Sequence, residues 1–107
     1  DNNMLNDKIK NNIIKVIDKT YRSNNLTQNQ LSYIIGISQP RTSMLLSRKT
    51  KHFKIDVLLK MLENMGGYIS NNKTSSVTKE ILIDQEILKA KIEQAKVEHP
   101  RTKRKSA

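Results

Sequence analysis

The stretch from Thr27 to Pro40 leaves this chain few ways to fold. Thr27 can cap a helix through its hydroxyl, and Gln30, three residues on, can return a bond to the cap's backbone N–H. Leu26 before the cap and Leu31 at the fourth helical position supply a hydrophobic staple, and Leu31, Ile34 and Ile35 form an i, i+3, i+4 apolar face. Gly36 then stands where a left-handed residue closes a helix. Two residues later Ser38 offers a second cap, and Pro40 falls in the first turn of the next helix, where its missing N–H costs little. Two short helices must therefore meet at a sharp turn on Gly36.

The rest of the chain arranges itself around that turn. Ile9, Ile13, Ile14, Ile17 and Tyr21 recur at helical spacing, so a first helix is expected from Asp7, after a loose lead-in over 1–6, until the polar run Ser23-Asn24-Asn25. The third helix runs from Gln39 to about Ser47; its core positions are Thr42, Leu45 and Leu46, which leaves most of its surface free. A basic loop follows with Arg48, Lys49, Lys51, His52 and Lys54. The fourth helix carries the stripe Ile55, Leu58, Leu59, Leu62 and Met65 and stops at Gly66-Gly67. Beyond Gly67 a short strand at Tyr68-Ile69 and a polar loop are expected. A second helical stretch over 78–98 then shows a thin stripe of Ile81, Leu88, Ile92 and Ala95 among many charges. So charged a helix is expected to pair with a partner or to sit loosely on the surface. Pro100 ends it, and the tail with Arg101, Lys103, Arg104 and Lys105 is too polar to pack. Three units follow: 1–67, an extension over 68–99, and a basic disordered tail over 100–107.

Composition narrows the partners. A chain of 107 residues holds one compact unit and a tail, and its net charge of +10 favours a polyanion, either nucleic acid or an anionic membrane surface. The absence of cysteine excludes disulfides and thiolate metal sites. No apolar run approaches the roughly 18 residues that span a bilayer, and the opening segment DNNMLNDKIK has no apolar signal core, so a cytoplasmic setting is expected. His52 has no partner at ligand spacing and His99 stands far away beside Pro100; both read as surface residues. Neither a nucleophile–base pair, a phosphate-binding glycine loop nor a metal cluster is visible, so no catalytic residue, metal or cofactor is expected.

The segment from Gln28 to Ser47, QNQLSYIIGISQPRTSMLLS, resembles the XRE/Cro-type repressors of phages and bacteria. Their pattern asks for Gln at the first position, a small residue at the fifth, Gly at the ninth and apolar neighbours around it; here these are Gln28, Ser32, Gly36, and Ile35 with Ile37. The phrase Gly-Ile-Ser-Gln-Pro-Arg, then a basic loop, Phe53, an Ile-Asp pair and a leucine-rich helix, resembles the HigA-like antitoxin branch. The likeness covers about residues 8–67. It departs in three places: Ser32 stands for the usual alanine, Thr42 for valine or isoleucine, and Lys54 for the Ser or Thr cap of the fourth helix. It implies an all-α, four- to five-helix lambda-repressor-like helix-turn-helix domain with a charged C-terminal helix and a basic tail. It also implies that Gln28 buttresses Gln39 against a base.

The same residues suit double-stranded DNA on chemical grounds. A helix whose N-terminal half enters the major groove needs short polar side chains there; Gln pairs well with adenine and Arg with guanine. Gln39, Ser43 and Ser47 lie on one stripe with Ser38, Pro40 and Met44 beside it, and Arg41 on the flank can reach a guanine or a phosphate. Gln28 points amides toward the backbone, while Arg48, Lys49, Lys51 and Lys54 suit phosphates and carry no sequence information. Arg101, Lys103, Arg104 and Lys105 are candidate tail contacts. One such motif covers a half-site, so a homodimeric repressor is expected. Three other roles stay open. An antitoxin would capture a toxin through 68–107 or the first helix. The tail could instead bind RNA or a membrane surface, although its lack of aromatic residues speaks against base stacking.

Overall fold

Helix α1 spans Asn2–Ser23 and buries Ile13, Ile14 and Ile17 completely, with Ile9 and Tyr21 packed at the edge. The computed structural model describes residues 2–70 and 80–101. The helix starts at Asn2, not at Asp7 as the apolar stripe suggests, because nothing in the lead-in breaks it: there is neither proline nor glycine before Gly36. At its other end Asn25 takes a left-handed φ of 52°. Leu26 N–H reaches back to the Tyr21 carbonyl at 3.1 Å and Asn25 N–H to that of Arg22 at 3.2 Å, the two bonds of a Schellman end. Asparagine tolerates that backbone, and the motif turns Leu26 into the core.

Helix α2 (Gln28–Ile35) carries the full capping box: Gln30 N–H donates to Thr27 Oγ1 at 3.1 Å and Thr27 N–H to Gln30 Oε1 at 2.9 Å. It closes on Gly36 at φ 77°, whose N–H bonds the Ser32 carbonyl at 2.8 Å. Helix α3 (Gln39–Leu46) follows with Ser38 as N-cap and Pro40 in its first turn. It buries only Thr42 and Leu45. A 3-10 turn at Thr50–His52 leads to the deeply buried Phe53 and then to α4 (Ile55–Asn64), which contributes Leu58, Met61 and Leu62. Lys54 gives α4 no side-chain cap; Asp56 in the first turn accepts a bond from Val57 N–H and places a negative charge at the positive end of the helix dipole.

Past Gly67 the structure corrects the sequence expectation. The helical stretch expected over 78–98 begins later, because Ile81–Ile83 form strand β2, antiparallel to β1 (Gly67–Ile69) with Tyr68 opposite Leu82. Alternation governs this hairpin: Ile69, Ile81 and Ile83 pack against the core while Tyr68 and Leu82 face out. Asp84 then caps α5 (Gln85–Glu98), accepting bonds from the N–H groups of Glu86 and Ile87. Residues 71–79 and 102–107, with Lys103, Arg104 and Lys105, lie outside the described part of the chain.

Helix α5 does not sit loosely. Leu88, Ile92 and Ala95 are buried in the same core as α1–α4, and the helix packs along α2. Its end is tied down as well: the buried Gln30 donates from Nε2 to the His99 carbonyl at 2.9 Å, and Tyr33 meets the His99 ring edge-on at 5.5 Å. Arg101 Nη2 donates to the Asn25 carbonyl at 2.6 Å. One side chain, Gln30, thus closes the start of α2 and holds the end of α5. Across all described residues the fold is helical, with a single small hairpin.

Candidate nucleic-acid interface

Because α3 buries so little, its remaining side chains form a surface. Ser38, Gln39, Pro40, Arg41 and Ser47 are exposed, with Ser43 and Met44 half-buried between them. Gln39 Nε2 donates to Gln28 Oε1 across the turn, so the first residue of α3 is braced by the first residue of α2. The count of donors matters here. Gln39 gives up one N–H and keeps its Oε1 and a second N–H, the pair that an adenine edge requires. Gln28, which accepts through Oε1, keeps its own amide N–H groups out of that bond.

On the flank, the Arg41 guanidinium lies 4.7 Å from the centroid of the Phe53 ring, a cation–π contact that orients it beside the α3 stripe. Arg48 follows the C-cap of α3 in a left-handed conformation, φ 62°, and its Nη2 donates to Asp18 Oδ2 at 3.1 Å. Lys49, Lys51 and Lys54 are exposed, and among the described residues none of them makes an ion pair. The residues expected to touch DNA therefore lie on α3, on the first turn of α2 and in the loop that follows α3. Arg101 stands apart, at the α1–α2 connection.

Sequence reasoning missed Asp18, which accepts from both Arg22 and Arg48. Its signal was present: a carboxylate four residues after Ile14, on the apolar side of a lysine-rich helix. It also missed Asn64, whose Nδ2 donates to the Ile35 carbonyl at 3.0 Å and so satisfies the end of α2 from α4.

A model of the family described as a helix-turn-helix domain matches residues 2–70, more than half of the chain. The chain belongs to that helix-turn-helix domain family. No curated protein and no solved structure matches it in the other two comparisons. A helix-turn-helix domain is a DNA-binding domain, and DNA is the partner this membership supports. Among the described residues, no helix is long and apolar enough to cross a membrane.

Inside the helix-turn-helix the two departures at 32 and 42 prove to be neighbours. Ser32 Oγ and Thr42 Oγ1 lie 2.7 Å apart in the buried angle between α2 and α3. Ser32 also reaches the Gln28 carbonyl at 2.7 Å and Thr42 the Ser38 carbonyl at 2.9 Å, so two hydroxyl protons serve three contacts. Either hydroxyl can be removed without orphaning the other. Ser32→Ala and Thr42→Val are each expected to cost about 0.5–1.5 kcal/mol, and the double variant less than the sum, with a coupling of about 0.5–1 kcal/mol. Urea unfolding of the four proteins measures this cycle; strictly additive values would show that the hydroxyl pair contributes nothing.

Proposed function

We propose that this helix-turn-helix protein recognises a specific double-stranded DNA sequence as a homodimer and represses transcription there, acting in the cytoplasm by binding alone, without catalysis or cofactor. The observation that carries the proposal is the Gln28–Gln39 bond. It holds one amide at the N-terminal end of a barely buried helix, with the groups for a base edge left unused. The resemblance of residues 28–47 to XRE/Cro-type repressors supports the same assignment, and the exposed lysines after α3 suit the flanking phosphates. Tyr68, Leu82 and Ile87 are exposed apolar side chains on the hairpin and the first turn of α5, and they offer a surface for a second copy. Selection from a random duplex pool, followed by sedimentation of the complex, tests the proposal. An enriched inverted repeat whose half-sites are about 10 base pairs apart, or a multiple of that, bound by two chains, is the expected result. Recovered sequences with no shared motif would contradict it.

A second assignment uses the same exposed apolar face. On the HigA-like likeness, Tyr68, Leu82 and Ile87 would receive a toxin, and the protein would regulate its own operon as an antitoxin. Coexpression with the product of the adjacent gene distinguishes the two: a stable complex that dissociates on Tyr68→Asp with Leu82→Asp supports the antitoxin, and loss of dimer in the same variant supports the free-standing repressor.

A further inference from the structure

Helix α1 carries a basic face that the recognition surface does not account for. Lys15, Lys19 and Arg22 follow one another at i, i+4 and i+7, all exposed, and together with Asp18 and Arg48 they line one open cleft. At its floor is Asp18, only 6% exposed. Its two oxygens are divided between two arginines: Oδ1 accepts from Arg22 Nε and Oδ2 from Arg48 Nη2, each at 3.1 Å. Neither arginine is consumed by this. Each guanidinium has five N–H donors, and the single bond to Asp18 leaves the others available. Arg22 is bound through Nε, so both of its terminal nitrogens remain for a bidentate contact, and its side chain is 76% exposed.

A single carboxylate neutralises only one positive charge. Here four cations surround one buried carboxylate, and the surplus has no partner among the described residues. The position of the cleft points to what it binds. Arg48 directly follows the C-cap of α3, and its Nη2 donates to Asp18 on α1 at 3.1 Å, so the basic face of α1 adjoins the recognition surface at the C-terminal end of α3. When a recognition helix enters the major groove, the groups flanking its end meet the phosphate wall of that groove.

We propose that Lys15, Lys19, Arg22 and Arg48, the two arginines held in place by Asp18, form a second phosphate-binding shelf that grips the duplex backbone beyond the C-terminal end of α3. The shelf rests on the DNA-binding assignment above and extends it to α1, which contributes affinity and register but no base contact. It lengthens the protected stretch of backbone on one side of each half-site.

The test uses the full chain and the variants Lys15→Ala/Lys19→Ala and Lys15→Ala/Lys19→Ala/Arg22→Ala, titrated against a generic duplex of about 30 base pairs over a range of salt. The double variant touches only exposed side chains without ion pairs among the described residues, so its thermal unfolding should match that of the unaltered chain. Its slope of log affinity against log salt should fall by about one unit per lost contact, close to two in all, and affinity should drop about tenfold at low salt and less at high salt. The triple variant should fall further. Preference for a selected sequence over its scramble should not change. Duplex binding by the unaltered chain with an unchanged slope in both variants overturns the shelf and leaves the recognition surface standing. No duplex binding by the unaltered chain overturns both.

Discussion

Gly36→Val should lower the melting temperature by about 12–24 °C. The expectation adds three costs. Gly36 sits at φ 77°, and a β-branched residue there costs about 1–2 kcal/mol. A Cβ at this position would stand 2.9 Å from Asn64 Nδ2, closer than real contacts allow. Asn64 must then move, and in moving it releases the Ile35 carbonyl that it satisfies at 3.0 Å, at a cost of roughly another 1 kcal/mol. A total of about 3 kcal/mol, at roughly 4–8 °C per kcal/mol for a domain of this size, gives a shift of about 12–24 °C. Gly36→Asn separates the terms, because asparagine accepts the left-handed backbone but still brings a Cβ; it should fall between the two proteins. Thermal unfolding followed by circular dichroism measures all three. An unchanged melting point for the valine variant would mean that the turn is not built on Gly36.

Leu88→Ala combined with Ile92→Ala should unfold the helix-turn-helix itself, not only α5. Each side chain is buried in the core shared with α1–α4, and each truncation is worth about 2–5 kcal/mol. Set against a total stability of about 5–15 kcal/mol, the pair removes most of what holds a domain of this kind. A single cooperative transition at a much lower urea midpoint, with DNA binding lost alongside it, is the expected outcome. Two transitions, or a melted α5 beside an intact helix-turn-helix, would show that residues 2–70 stand without their C-terminal helix.

This second experiment bears on what could be read from the residues alone. Local signals were legible because they are complete within a few positions: the capping box at Thr27 and Gln30, the glycine stop at Gly36 and the proline after Ser38 each specify backbone geometry without help from elsewhere. The position of α5 was not legible. Its stripe of Leu88, Ile92 and Ala95 is thin, and its burial depends on α2 offering a matching face and on Gln30 reaching the His99 carbonyl, 69 positions away. Nor did Ile81-Leu82-Ile83 declare itself, since a short apolar run suits a helix or a strand until a partner strand decides it. In the interface, the exposed residues of α3 followed from the turn, whereas the Ser32–Thr42 pair looked like two unrelated departures because sequence order hides their contact across the turn. Asp18 was overlooked although Arg22 lies only four positions away, because its second arginine, Arg48, lies thirty positions away across the fold.

The central claim is that α3 reads bases and that Gln39, braced by Gln28, does part of the reading. Gln39→Ala tests it most directly, titrated by fluorescence anisotropy against a selected duplex and its scramble at one salt concentration. Binding to the selected duplex should weaken by about 1–3 kcal/mol, roughly 5- to 150-fold, while binding to the scramble stays the same. Equal losses on both duplexes, or no loss on either, would contradict the claim.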